Sequence, residues 1–142
     1  MRYFIFFALL IITCSATSRF KSIQASVSLV LRCKNPWSPT ANVFLMESDF
    51  DDNSMDEDDP FDFNTYEFNV VPEQRMLLQG EEFEISGIEP YLVIMNPCTK
   101  NFGNFEKVRI NLHENMYRSR YFDVIVNLDT MDIQITRTLM YP

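Results

Sequence analysis

A 142-residue chain that is 46% apolar and carries thirteen phenylalanines has enough hydrophobic material for one packed domain, which excludes a wholly disordered polymer. Its formal charge is −8, but nine of its twenty carboxylates fall in the sixteen residues from Glu47 to Asp62, and the rest of the chain beyond residue 18 balances at eleven acids and eleven bases. No basic stripe is left to follow a phosphate backbone, so nucleic-acid binding is set aside.

The first eighteen residues read as a secretory signal peptide. Arg2 precedes ten nearly all apolar residues, Tyr3 to Ile12, and the small residues Cys14, Ser15, Ala16 and Ser18 follow, with cleavage expected after Ala16 or Ser18. The apolar run is too short for a bilayer span, which needs roughly 20 residues, and no later run reaches that length. The expected product is one domain, residues 19–142, secreted to the extracellular space and not an integral membrane protein. Loss of Cys14 leaves Cys33 and Cys98, an even number in an oxidising compartment, so a single disulfide between them is the expected pairing.

From Ser22 to Cys33 the apolar residues Ile23, Ala25, Val27, Leu29 and Leu31 share one phase with Cys33, while Gln24, Ser26, Ser28 and Arg32 occupy the other. Period-two alternation predicts a half-buried strand. The segment NPWSP, 35–39, stops it, because proline has no N–H for a ladder. Ala41 to Met46 predicts a second strand that runs into the acidic stretch 47–62, read as a loop. Tyr66, Phe68 and Val70 alternate with Glu67 and Asn69 as a third. Glu73 to Leu78 is the best helical candidate and is too short to stand alone. Phe83 and Ile85 suggest a short fourth strand closed by Ser86-Gly87. Tyr91 to Met95 is wholly apolar, as in a central strand, and 96–104 reads as a loop. Val108 to Leu112, Phe122 to Leu128 and Ile133 to Thr136 complete the series. Some seven to eight strands with turn signals between them predict an all-β, antiparallel, immunoglobulin-like sandwich.

The segments VSLVLRCKNPWSPTANVFLMESD (27–49), EPYLVIMNPC (89–98), KVRINL (107–112) and FDVIVNLD (122–129) follow one another in an order that resembles the transthyretin-like family of secreted nematode proteins. The likeness covers most of the expected mature chain. Asn96 stands where the family usually carries His, Asn104 stands near a common second loop Cys, and Phe68 to Pro90 is longer than usual. The resemblance implies a transthyretin-like sandwich in which the strands bearing Cys33 and Cys98 belong to different sheets. It leaves a second possibility for the cysteines: if the family's bridge joins the two loop cysteines, Cys98 lacks its mate and both thiols are free. It also implies an extracellular binding protein.

Little in the chain points to catalysis. The hydroxyisourate hydrolases, catalytic relatives of the transthyretin fold, resemble one another in several active-site His residues, an Arg and a C-terminal Tyr-Arg-Gly-Ser; this chain has one His, His113, and ends in Met140-Tyr141-Pro142. No Ser-His-Asp order, phosphate loop or zinc spacing appears, and no enzyme is expected. The acidic stretch contains Asp49, Asp51 and Asn53 at the spacing of a calcium loop. An EF-hand also needs Gly at position six and Glu at position twelve, and those places hold Ser54 and Pro60. A looser calcium site, with Asp56 or Asp58 completing the oxygen shell, stands beside two other readings, a docking surface for a basic partner and a solvated linker; the linker is favoured. No cofactor is otherwise expected, and no Asn-x-Ser/Thr sequon is present. The function expected from the whole chain is non-catalytic binding of an extracellular protein or a small lipophilic ligand. The alternatives are a structural, matrix-type protein and a weak calcium module.

Overall fold

The computed structural model describes residues 22–48, 60–70, 73–83, 87–101 and 104–140. Among these residues there is no helix, and so none long and apolar enough to cross a membrane. Eight strands form: β1 (Ile23–Arg32), β2 (Thr40–Glu47), β3 (Pro60–Glu67), β4 (Met76–Glu82), β5 (Pro90–Asn101), β6 (Asn104–Asn111), β7 (Arg120–Asn127) and β8 (Asp132–Leu139). They make two four-stranded sheets, ordered β4-β1-β7-β8 and β3-β2-β5-β6, that share one hydrophobic core.

The core follows the alternation of the sequence. In the first sheet Val27, Leu29 and Leu31 of β1 lie beside Phe122, Val124 and Val126 of β7, and in the second sheet Val43, Leu45, Leu92 and Ile94 lie in the inward phase, all of them buried. Burying each such side chain is worth about 1.5–3 kcal/mol relative to leaving it in water. β1 is buried on both faces. Ser26, Ser28 and Val30 lie in the other phase and are buried as well, and Arg75 Nη1 donates to Ser28 Oγ at 2.9 Å while pairing with Asp123.

Pairing is antiparallel in five of the six ladders, as expected; the exception is β1 with β7, which run parallel. Between these two strands the chain passes through both sheets. A parallel neighbour needs such a long crossover, whereas a hairpin partner does not. The order also separates β1 and β2 into different sheets, while an immunoglobulin constant domain keeps its first two strands in one.

Four local expectations change. The short strand expected at Phe83 and Ile85 is not formed at Phe83, which follows the end of β4, and Ile85 lies outside the described residues. The third strand begins at Pro60 and ends at Glu67, earlier than the 66–70 read from alternation. The helical candidate 73–78 runs into a strand, because Met76 and Leu78 face the core from β4 and pair with Leu29 and Val27. The loop expected at 96–104 is largely strand. β5 continues through it to Asn101, with three residues, Pro97 to Thr99, bulged out between the pairs Asn96–Glu106 and Lys100–Phe105. Of the acidic stretch, Glu47 closes β2 and Pro60 to Asp62 open β3. The calcium candidates Asp49, Asp51 and Asn53 and the signal peptide, 1–18, lie outside the described residues.

Candidate functional site

One end of the sandwich gathers the polar and reactive groups. β1 and β7 finish there, β5 delivers its bulge there, and residues 68–70 after β3 and 73–74 before β4 lie there. Cys33, one residue past β1, is bonded to Cys98 in the β5 bulge, with Cα atoms 6.0 Å apart and a sequence separation of 65. The expected pairing is therefore present, and it joins one sheet to the other. An intramolecular disulfide fits an extracellular, oxidising compartment.

The bulge makes the bond geometrically possible. Pro97 has no N–H to give a ladder, and the extra residues turn Cys98 toward the core. The freed backbone groups are satisfied locally: Trp37 N–H donates to Pro97 O at 2.8 Å, and Cys98 N–H donates to Asn96 Oδ1 at 2.8 Å. Asn96 is fully buried, and its amide nitrogen has no partner among the described residues.

The end of β7 is tied to the end of β1. Leu128 N–H donates to Arg32 O at 2.9 Å, and Lys34 N–H donates to Asp129 Oδ2 at 2.9 Å. Asn127 Oδ1 accepts from the N–H groups of Asp129 and Thr130, at 3.0 and 3.3 Å, and shapes the turn into β8. These bonds bring the Asp129 carboxylate beside the two sulfurs, so that one ligand atom from each of Cys33, Cys98 and Asp129 lies within 4.8 Å of the others. Asp129 carries no signal in the sequence; it sits in a turn, 31 residues from the nearer cysteine, and only the β1–β7 pairing brings it there.

Beside this cluster lies an open cleft of about 480 Å³. Its lining mixes the apolar Leu31, Tyr66, Phe68 and Val70 with the charged Arg32, Lys34, Glu73 and Asp129. Tyr66 and Phe68 are tilted against each other with centroids 5.3 Å apart, and the Tyr66 hydroxyl donates to Gln74 O at 2.9 Å. Burial pushes the Tyr66 phenol up from its ordinary pKa. Arg32 Nε donates to Glu73 Oε1 at 2.9 Å, and that bond holds the Glu73 carboxyl below, and the Arg32 guanidinium above, their usual ranges. Both side chains are half-exposed, so the pair orders the rim more than it stabilises the fold.

His113 lies away from this end, just past β6, with Nδ1 2.6 Å from the carbonyl oxygen of Glu114, a bond that places the proton on Nδ1.

No family model matches the chain, and no curated protein or solved structure is similar to it.

Proposed function

We propose that this chain is a secreted extracellular binding protein with a transthyretin-like sandwich, non-catalytic, whose end cleft takes a small lipophilic ligand. The observation that carries the reading is the cleft: open, about 480 Å³, where Leu31, Tyr66, Phe68 and Val70 meet a larger set of polar and charged side chains, a size within the ordinary range for small-molecule sites. Two further observations support it. The disulfide joins different sheets, as the resemblance to the transthyretin-like family implies, and a disulfide of this kind suits a secreted protein.

The test is purification of the native protein from the medium into which it is released, followed by solvent extraction and mass spectrometry. Val70 lines the cleft and is partly exposed, so Val70→Asp introduces a charge there at little cost to the core. The expected outcome is one bound apolar molecule per wild-type chain and none on the variant. A wild-type protein that is folded and carries nothing would overturn the reading in favour of a structural, matrix-type role. A co-purifying protein that the same substitution releases would move the cleft's partner from a small molecule to a polypeptide.

A further inference from the structure

We propose that Cys33, Cys98 and Asp129, once the disulfide is reduced, form a binding site for one zinc ion or a similar borderline divalent cation. The disulfide takes two electrons and two protons from a thiol reductant, which leaves as its own disulfide. The metal then replaces the two thiol protons, which go to solvent, and binds two thiolates and one carboxylate oxygen.

Geometry carries the proposal. Zinc takes sulfur at about 2.3 Å and carboxylate oxygen at about 2.0–2.2 Å, so two ligands on one tetrahedral ion sit roughly 3.5–3.8 Å apart. The two sulfurs are bonded to each other here and one Asp129 oxygen lies within 4.8 Å of both, so that after reduction side-chain rotation parts the sulfurs to this spacing around an ion beside the carboxylate. Two thiolates, one carboxylate and a fourth position left to water are a donor set that suits zinc.

The backbone that carries these groups is tied by hydrogen bonds as well as by the sulfur–sulfur bond. Asp129 is held by Lys34 N–H on Oδ2, and its turn is held by the side chain of Asn127. The Cys98 bulge is held by Trp37 N–H and by Asn96 Oδ1, and the end of β1 by Leu128 N–H. The Lys34 N–H bond to Oδ2 orients the Asp129 carboxylate as an outer-shell partner does in established metal sites. Oxidised, the pair staples the sheets; reduced, a metal bridges the same two sheets. The inference is independent of any ligand in the cleft.

The test uses the purified protein, reduced with a phosphine and titrated with cobalt(II), whose tetrahedral thiolate complexes absorb in the visible. The expected result is one cobalt per reduced chain, displaced by zinc, and none on the oxidised chain. Asp129→Asn keeps an acceptor for Lys34 N–H and removes the anionic ligand. It should weaken cobalt binding by at least the ~10-fold that loss of even an outer-shell partner costs, while the oxidised variant keeps the wild-type near-UV circular dichroism. Asp129→Ser serves if that spectrum is lost. Equal affinity with and without Asp129, or no cobalt on the reduced chain, overturns the proposal. If reduction itself unfolds the chain, zinc should restore the native near-UV signal, since metal that binds only the folded form drives folding; failure to restore it also overturns the site.

Discussion

Tyr66 shows how much one side chain contributes at this end of the molecule. It is among the largest fully buried side chains, its ring meets Phe68, and its hydroxyl is bonded to Gln74 O in the segment that leads into β4. At neutral pH, Tyr66→Phe should cost about 1 kcal/mol, the net value of one hydrogen bond plus part of the penalty for the stranded carbonyl. The alkaline side is more diagnostic. Because burial raises the phenol pKa in the folded state, the folded chain holds this proton more tightly than the unfolded chain does. The associated stability is complete below the unfolded value of about 10 and is lost as pH rises through the higher folded value. Urea unfolding at neutral pH and above pH ~10 should therefore show a steeper alkaline loss for wild type than for Tyr66→Phe. Equal losses in both proteins would mean that the phenol is not the titrating group.

At the scale of elements, β3 and β4 explain both how the sheets meet and why the sequence was hardest to read there. They are edge strands of different sheets that meet, and two of their contacts are specific. Asp62 Oδ2 accepts from Gln79 N–H at 2.9 Å, which occupies an edge donor of β4 and blunts that edge against foreign strands. The ring of Phe61 lies against Gly80, where an added Cβ would overlap Phe61 Cβ, Cγ and Cδ2. Gly80→Ala should then destabilise by about 1–3 kcal/mol through overpacking. In Phe61→Ala the same change should cost much less, and a double-mutant cycle by denaturant melts measures the difference; additive effects would refute the contact. The strands β1, β2, β6 and β7 and the first half of β5 were legible because their apolar residues line the core, and β8 because Ile133 and Ile135 alternate with polar residues, although only Ile135 packs against the core. β3 was not, since Phe63 stands three residues from Tyr66 and so on the exposed face, while the ladder with β2 slips at Phe61, between the pairs Leu45–Asp62 and Met46–Pro60, and leaves that ring packed against the core. β4 was not, since Leu77 is apolar yet 54% exposed on the outer face and Phe83 is 68% exposed beyond its end; both break the expected alternation. The partner of each strand was illegible for a different reason: a period of two is the same in parallel and antiparallel ladders, so nothing in the pattern announced β1 beside β7. The cysteine pair was legible by count alone, but Asp129 and the cleft were not, because both exist only where ends of distant strands converge.

The molecule as a whole is two sheets closed on one core and stapled at one end, and the staple's worth is set mainly by the unfolded chain. A bond between residues 65 apart removes about 4 kcal/mol of loop entropy from the denatured ensemble. That is a large fraction of the 5–15 kcal/mol by which domains of this size are stable. The double substitution Cys33→Ser plus Cys98→Ser should lower the unfolding free energy by roughly that amount and the melting midpoint by on the order of 10–20 °C. Two signatures separate this account from one in which the bond merely props up the β5 bulge. The released unfolded chain is more expanded, so the denaturant slope m should rise along with the fall in midpoint. The bulge keeps its own hydrogen bonds from Trp37 and to Asn96, so the native near-UV spectrum should survive in the absence of denaturant. A lower midpoint at unchanged slope, together with a loosened near-UV spectrum, would place the contribution in the folded state instead. It would also mean that the end carrying the cleft and the Asp129 cluster is held in place by the sulfurs and not by the backbone.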